Sequence, residues 1–391
     1  MEIDPILPVI VGVTLAAFVA GITLRLLKQP YVIGYIVVGV ILGALGFGGG
    51  PLASQIANLG IVLLLFFIGM HVSVPKLVSN WRVAILGTSA QIVITVLLVL
   101  LANAWFGWSL QRVLLVGFMI SLSSTAVILK ILEDWKELDT KVGQNVLGIL
   151  LVQDLAIIPM IMLLELTGGD GLDLHTLGLQ LAGGILLIGI VIYFMVSPRA
   201  HLPFAKAIRG DHELQVFVAL AFCFGLALLA GIFSISVALG AFVAGIIISA
   251  AKETHWVAKS LGPFHVIFVA LFFIYIGTLL DIVFLREHAL LIIGAVLVVL
   301  LLNTLLNTLI LRILGDSWRE SIFAGALLSQ IGEFSFLLAA IAFSAGILLS
   351  FDHQFAISVI TVSLLLSPLW IQTVKRLLHI DASYVFETLR R

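Results

Sequence analysis

The sequence predicts an all-α polytopic membrane protein with about thirteen transmembrane helices, and three observations support this fold class. Hydrophobic residues make up 62% of the 391-residue chain and charged residues only 10%, whereas a soluble domain carries about 25% charged residues. The apolar residues form successive long segments with short polar breaks, and about 20 such residues span a bilayer. Lysine and arginine fall almost entirely on one side of these spans. The lipid bilayer is therefore the expected environment and partner of the chain.

The predicted spans end at polar residues, glycine or proline. They cover residues 5–25, 31–47, 55–72, 82–104, 109–132, 141–166, 176–197, 213–231, 234–250, 262–281, 287–313, 319–346 and 354–379. With the N-terminus outside and the C-terminus in the cytoplasm, all but Arg112 and Arg286 of the 20 lysines and arginines lie in cytoplasmic connections or at the C-terminal end, as the positive-inside rule requires. A miscounted helix would scramble this alternation.

Two of the predicted spans are interrupted by polar residues at mid-depth. Ser123, Ser124 and Thr125 interrupt the fifth span, and Gln330 and Glu333 interrupt the twelfth at a comparable depth. Irregular backbone at this depth is tolerated only inside protein or beside a wet cavity. We therefore expect two discontinuous helices that cross. The alternative is that the hydroxyl groups bond back to their own helices and that nearby glycines only allow close packing.

The positions of the interrupted spans also predict an inverted-topology repeat. The two spans lie seven helices apart, and an odd displacement reverses the direction of the chain across the membrane, as inverted repeats require. The repeats are expected at about residues 1–166 and 213–379, within one transmembrane domain that covers residues 1–391.

Gln153 and Asp154 stand alone in the apolar span VLGILLVQDLAIIPMIMLL. A carboxylate at the centre of a span costs about 2.5–3.5 kcal/mol on permissive insertion scales, so packing does not explain Asp154. We expect Asp154 to hold either a proton or a desolvated cation. This competition couples two fluxes if the site changes sides only when it is occupied. A static structural ion pair is the alternative.

Oxygen donors close to Asp154 in the predicted fold suggest a site for an alkali cation. Such cations prefer oxygen ligands, so an alkali cation is expected at Asp154, Gln153, Ser124 and Thr125, with Ser123 in the same cation- and proton-binding group. If Asp154 is the one titrating carboxylate, exchange of one proton for one monovalent cation leaves the charge of the site unchanged. Antiport by alternating access is then expected to be electroneutral.

Glu333 and Gln330 are predicted to support this site from the second interruption. Glu333 is the other costly charge inside a span, and we expect it to pair with a basic group or with a helix N-terminus near the crossing. The alternative is a protonated, hydrogen-bonded side chain.

Several long motifs occur in order along nearly the full chain. They are YVIGYIVVGVILG (31–43), GIVLLLFFIGM (60–70), SLSSTAVILKIL (121–132), GILLVQDLAIIP (148–159), SVALGAFVAGIIIS (236–249), LFFIYIGTLLD (271–281) and ALLSQIGEFSF (326–336). Through these motifs the chain resembles the membrane domain of Kef-type potassium/proton antiporters, in the second family of monovalent cation:proton antiporters.

This resemblance implies a fold, a substrate and a location. The implied fold is the sodium/proton antiporter-like fold, as a homodimer in which dimerisation and core subdomains are interleaved in the sequence. Asp154 would be the carrier carboxylate, and Gln153 occupies the position that is Asp or Asn in many sodium/proton relatives, which favours K+. The implied location is a bacterial inner membrane.

Two departures from the family pattern qualify these expectations. Kef proteins carry a cytoplasmic nucleotide-binding regulatory domain after the membrane region, and we expect it to be absent from this chain because no Gly-rich dinucleotide fingerprint occurs. Electrogenic relatives have a lysine in the helix before the second broken one, where this chain has Asn303. A neutral side chain at this position fits one-for-one exchange and makes Asn303 a third supporting residue.

Other function classes receive less support from the sequence. A Na+/H+ antiporter of the same fold is the nearest alternative, and a K+ channel is the next. We find no paired nucleophile and base and no metal-ligand spacing, so neither an enzyme nor a cofactor is predicted; the transported ions are K+ or Na+ and H+. The net charge of -1 gives no sign of a nucleic-acid partner.

Overall fold

The computed structural model describes residues 6–26, 31–46, 81–167, 174–196, 211–233, 237–250 and 255–379, together with residue 235 and parts of the segment 55–70. Within these residues every regular element is a helix. The predicted all-α fold class is confirmed.

The helices are numbered here in chain order. They are α1 (Ile6–Leu26), α2 (Tyr31–Ala44), α3 (Gly87–Phe106), α4 (Leu110–Ser121), α5 (Thr125–Asp134), α6 (Lys141–Leu166), α7 (Leu174–Val196), α8 (His212–Ile232), α9 (Val237–Ala250), α10 (His255–Thr278), α11 (Ile282–Glu287), α12 (Ala289–Ile313), α13 (Trp318–Leu327), α14 (Phe334–Ser344) and α15 (Ser350–Leu377). One turn of π-helix, Arg82–Leu86, precedes α3.

These helices agree with the predicted spans. Each of the thirteen predicted spans contains helical residues in the described part of the chain. By length and composition alone, 5 helices of this part could cross a membrane, and the shorter apolar helices include α2, α4 and α14. The count of thirteen spans is consistent with this architecture and stays a prediction.

A short helix that was not predicted lies just before the predicted span 287–313. Asp281 Oδ1 accepts hydrogen bonds from the N–H groups of Val283 and Phe284, at 2.8 and 3.1 Å, and this cap starts the separate short helix α11. The long helix α12 follows from Ala289. A local capping residue therefore added an element that apolar segment length did not predict.

The fifth predicted span is discontinuous, as expected from its hydroxyl residues. Helix α4 ends at Ser121, and Leu122 is extended, with φ -89° and ψ 124°. Ser124 is also extended, and its Oγ accepts a hydrogen bond from the N–H of Val127 at 3.3 Å, which caps α5. The first interruption is therefore residues 122–124.

The twelfth predicted span is discontinuous as well. Helix α13 begins with a capping box, in which Ser317 and Glu320 satisfy each other's backbone N–H groups, and it ends at Leu327. Helix α14 begins at Phe334. The second interruption is therefore residues 328–333, twice as long as the first, and it includes Gln330.

The two interruptions cross in contact with each other. The N–H of Gly332 donates to the carbonyl of Leu122 at 2.7 Å, and Ser123 Oγ donates to the carbonyl of Leu328 at 2.8 Å. A Cβ atom at Gly332 would lie 2.5 Å from the carbonyl oxygen of Ser123. Glycine is thus required for this close approach, and the predicted pair of crossing discontinuous helices is confirmed.

Helix α6 is anchored to its neighbours along its length. Three side-chain hydrogen bonds do this, from Asn145 Nδ2 to Asp316 Oδ2 at 2.9 Å, from Thr88 Oγ1 to the Ile149 carbonyl at 3.2 Å, and from Gln111 Nε2 to the Leu164 carbonyl at 2.9 Å. The middle of α6, which carries the Gln-Asp pair, is therefore fixed in height and rotation.

The chain divides into two compact units that alternate along the sequence. One comprises Met1–Leu45, Lys76–Gly168 and Gly277–Arg391, and the other comprises Gly46–Pro75 and Gly169–Ile276. The first unit contains α6 and both interruptions. The second has its own buried core, which includes Phe66, Cys223 and Ile248. The inverted repeats at 1–166 and 213–379 stay a prediction.

Candidate cation and proton site

Asp154 lies inside the first unit, 5% exposed, in the middle of α6. The hydroxyl of Thr125 is 2.9 Å from its Oδ2 and 3.2 Å from its Oδ1. Thr125 is the first residue of α5, and the N-terminus of a helix favours a nearby negative charge. Among the described residues, no ion pair joins Asp154 to a lysine, arginine or histidine.

Gln153 is 0% exposed and bonded on both sides of its amide. Its Oε1 accepts a hydrogen bond from the N–H of Ser123 at 3.0 Å. Its Nε2 donates to Oε1 of Gln91 at 2.7 Å. The structure therefore brings Gln153 to the first interruption, where it satisfies a backbone group that the broken helix leaves without an intrahelical partner.

Gln91 is a residue of this site that the sequence analysis missed. It lies on α3, is 0% exposed, and donates from its Nε2 to the carbonyl of Ser121 at 3.1 Å. A single glutamine inside an apolar span was the signal that could have found it, because a buried amide requires partners.

The hydroxyl groups of Ser123 and Ser124 are directed to other groups than Asp154. Ser123 Oγ bonds to the carbonyl of Leu328, and Ser124 Oγ caps α5. Of the three predicted hydroxyl residues, the structure places Thr125 within hydrogen-bond distance of Asp154. Ser123 and Ser124 shape the interruption that presents Thr125.

Asn303, on α12, connects the end of α4 to the second interruption. Its Nδ2 donates to the carbonyl of Ile120 at 2.9 Å and to the carbonyl of Ser329 at 3.1 Å. The Ile120 carbonyl lies at the C-terminal end of α4, where a partial negative charge accumulates, and the Ser329 carbonyl lies in the second interruption, just after the end of α13. The predicted supporting residue is thus a neutral donor that joins the two interruptions from α12.

Gln330 lies in the second interruption and is 0% exposed. In the described part of the chain, neither its Oε1 nor its Nε2 has a hydrogen-bond partner. Leaving a buried polar group unsatisfied costs about 1–3 kcal/mol, and such groups in native proteins require an explanation, for example a bound water or ion. Gln330 therefore differs from Gln153, whose amide is fully engaged.

Glu333 is 4% exposed and immediately precedes α14. Its predicted pairing with a helix N-terminus or with a basic group stays a prediction. Its carboxyl group interacts electrostatically with that of Asp154. Glu333 is therefore a second buried carboxyl group close enough to Asp154 to influence it electrostatically.

A buried carboxyl group beside the crossing of two discontinuous helices, in a polytopic helical protein, is the architecture of secondary transporters. Residues 13–376 match the family described as sodium/hydrogen exchanger, transmembrane. The chain belongs to this family, which places it among the cation/proton antiporters of the membrane.

Named relatives support this assignment. The iron transporter MagA of Paramagnetospirillum magneticum is 35% identical, over 95% of this chain and 86% of that protein. The Escherichia coli protein YbaL, named as a cation/proton antiporter, is 32% identical over 93% of this chain and 67% of its own length. K(+) efflux antiporter 5 of Arabidopsis thaliana is 30% identical over 92% of this chain and 65% of its own length. These matches confirm the resemblance to Kef-type antiporters, and the named relatives are transporters.

A solved structure supports the fold independently. The sodium proton antiporter MjNhaP1 from Methanocaldococcus jannaschii superposes with a TM-score of 0.71, over 96% of this chain and 99% of that one. Sequence identity is 16%. The sodium/proton antiporter-like fold is therefore confirmed.

Proposed function

We propose that this chain is a secondary antiporter that exchanges K+ for H+ by alternating access at Asp154. The observation that carries the proposal is the buried carboxyl group of Asp154, bonded to the Thr125 hydroxyl beside two crossing interruptions. An ionised carboxylate in this environment requires a bound cation, and its alternative is a proton. The competition between them couples the two fluxes.

The chemistry of the surrounding donors supports an alkali cation as the substrate. The carboxylate of Asp154, the hydroxyl of Thr125 and the amide of Gln153 offer oxygen, which K+ and Na+ prefer. Iron sites generally use imidazole, thiolate or several carboxylates, and the described residues contain no group of three or more such side chains. Fe2+ is nevertheless a necessary comparison, because the relative MagA is named an iron transporter.

A Na+/H+ antiporter is the second candidate function. Its support is the family description and the fold of MjNhaP1, which is named a sodium proton antiporter. The support for K+ is the glutamine at position 153 and the relatives named K(+) efflux antiporters. The two candidates differ in one measurable quantity, the cation that drives proton flux.

Purified protein in liposomes with an internal pH dye tests the proposal. An imposed pH gradient should dissipate when K+ is added, with a lower half-saturating concentration for K+ than for Na+. A lower value for Na+ would favour the second candidate, and proton flux driven by Fe2+ alone would contradict both. K+ uptake without proton movement would indicate a channel.

We further propose that exchange is electroneutral, with Glu333 in the same protonation state throughout the cycle. One proton at Asp154 then replaces one K+, and the neutral amide of Asn303 adds no charge. The rate should be unaffected by a membrane potential clamped with an ionophore that the transported cation does not use. An exchange rate that depends steeply on the membrane potential in the wild type, but not in Glu333→Gln, would identify Glu333 as a second proton carrier.

The assembly and orientation belong to the same proposal. We expect a homodimer in a bacterial inner membrane, with the N-terminus outside and the C-terminus in the cytoplasm, on the basis of the family resemblance and of the distribution of lysine and arginine. Single cysteines introduced beside Arg112 and beside Arg312 in a Cys223→Ser background should react with an impermeant thiol reagent from opposite sides of inner-membrane vesicles. Reaction of both from one side would contradict the orientation.

A further inference from the structure

Gln91, Gln153 and the first interruption form one continuous chain of hydrogen bonds. The N–H of Ser123 donates to Gln153 Oε1 at 3.0 Å, Gln153 Nε2 donates to Gln91 Oε1 at 2.7 Å, and Gln91 Nε2 donates to the carbonyl of Ser121 at 3.1 Å. The chain starts and ends on the two sides of Leu122. Two glutamine side chains thus act as a splint across the point where α4 stops.

The direction of this chain is fixed by its two backbone ends. A backbone N–H can only donate and a carbonyl can only accept. Ser123 therefore sets the oxygen of Gln153 toward the interruption, Gln153 then sets the oxygen of Gln91, and the nitrogen of Gln91 is left for Ser121. Neither amide can be reversed without placing two donors or two acceptors against each other.

The splint is buried and complete. Gln91, Gln153 and Ser121 are each 0% exposed, so water does not compete for these bonds. Loss of one side chain leaves a donor or an acceptor of the next one unsatisfied, because a buried polar group has no substitute partner. A change at Gln91 should therefore reach Ser123 through Gln153, although Gln91 lies on a different helix.

The interruption held by the splint positions the ligands of the cation. Thr125 follows Ser123 by two residues, and its hydroxyl lies 2.9 Å from Asp154 Oδ2. The backbone of Ser123 therefore determines where this hydroxyl meets the carboxyl group. Selectivity between K+ and the smaller Na+ depends on the spacing and number of such oxygens, so a shift of the interruption should alter it.

We propose that Gln91 is a positioning residue for cation selection, which acts through Gln153 to hold the first interruption. The proposal rests on the proposed function, since it concerns the same cation site. Gln91 itself does not contact Asp154 in the structure. Its removal should change the affinity and the choice of cation more than the maximal rate.

The test compares Gln91→Met with wild type in the liposome assay. Methionine keeps the length of the side chain and removes both hydrogen bonds. We expect the half-saturating K+ concentration to rise roughly tenfold, the effect of about one hydrogen bond, and the K+/Na+ ratio to fall, with a smaller change in maximal rate. Gln144→Met is the matched control, because Gln144 Nε2 donates to the Leu138 carbonyl at 2.6 Å, before the start of α6 and away from the interruption. It should leave the K+/Na+ ratio unchanged.

A second variant separates hydrogen bonding from packing and serves if Gln91→Met does not fold. In Gln91→Glu at acidic pH, the protonated carboxyl group can still accept from Gln153 and donate to Ser121, so wild-type selectivity should return. Absence of cation-dependent proton flux in the wild type would contradict the proposed function itself. If the wild type is active, either of two results would overturn the positioning role. One is a folded Gln91→Met with an unchanged K+/Na+ ratio. The other is a Gln91→Glu whose K+/Na+ ratio at acidic pH differs strongly from that of the wild type.

Discussion

At the first interruption the amide of Gln153 is bonded to protein on both sides, whereas at the second the amide of Gln330 has no hydrogen-bond partner among the described residues. The first is also shorter, and Ser124 caps the helix that follows it. The two interruptions thus differ in how completely their buried amide side chains are hydrogen-bonded.

This difference indicates a division of roles. A fully bonded interruption is rigid and can present Thr125 to Asp154 at a fixed distance, as selective binding requires. An interruption with an unsatisfied amide retains the capacity to bind water, an ion or a rearranged backbone. We interpret the first as the preorganised side of the site and the second as the adaptable side.

Replacement of Asp154 should have the largest effect on function. Asp154→Asn keeps the side-chain size and an acceptor for Thr125, but the amide cannot exchange a proton for a cation. Exchange in liposomes should fall to the rate of empty vesicles while the protein stays folded. Asp134→Asn is the matched control, since that carboxylate lies 2.8 Å from Lys130 with its side chain 50% exposed, outside the crossing, and should cost about 1 kcal/mol or less. Substantial exchange in Asp154→Asn would place the carrier elsewhere.

Separation of the two interruptions should have the next largest effect. In Gly332→Ala the new Cβ would lie 2.5 Å from the Ser123 carbonyl oxygen, and overpacking of this kind costs about 1–3 kcal/mol. Thermal unfolding in detergent should occur at lower temperature, and exchange should be strongly reduced. Gly294→Ala, where the structure has nothing within 4 Å of the added atom, should unfold at or above the wild-type temperature. Equal behaviour of the two variants would contradict the close crossing.

Replacement of Asn303 should have the third largest effect. Asn303→Leu removes two hydrogen bonds, to Ile120 and Ser329, and should lower the free energy of unfolding by about 2 kcal/mol at about 1 kcal/mol per bond. Asn307→Leu, one turn further along α12, removes one bond to the Asn303 carbonyl and should cost about half as much. Denaturation of the two variants under the same conditions measures the difference. A larger loss in Asn307→Leu would show that Asn303 does not bridge the half-helices.

Replacement of Gln330 should have the smallest effect on stability and the clearest difference between its effects on stability and on exchange. Gln330→Leu removes a buried amide that has no hydrogen-bond partner in the described part of the chain, so the unfolding temperature should stay the same or rise. Exchange should nevertheless slow if the amide binds water or ion during transport. A destabilised Gln330→Leu would mean that this amide is engaged in the folded protein, and the proposed contrast between the interruptions would be wrong.

The sequence predicted the positions of both interruptions and their proximity to Asp154 because these features are local anomalies. A run of hydroxyl residues, or a carboxylate, inside an apolar span has an obvious energetic cost, and an odd number of intervening spans sets the orientation. The family match and the solved antiporter fold agree with the predicted fold class.

The partners of individual side chains were not predictable in the same way. The bond from Gln153 to Gln91 joins residues 62 positions apart, and that from Asn303 to Ile120 joins residues 183 apart. Such pairs depend on helix rotation and height, which apolar periodicity defines only loosely in a span that is hydrophobic on all faces. The short helix α11 was missed for a different reason. A single capping residue, Asp281, starts this helix, and the apolar pattern does not reveal it.

The main-chain hydrogen bond from Gly332 to Leu122 has a consequence for the geometry of transport. It joins backbone to backbone, so no change of side-chain rotamer can separate the pair α4 and α5 from the pair α13 and α14. Under the proposed alternating access, a gate that opened between the pairs would break this bond along with those of Ser123 and Asn303. The crossing is therefore expected to travel as a single rigid body, with the ion carried by displacement of the whole body.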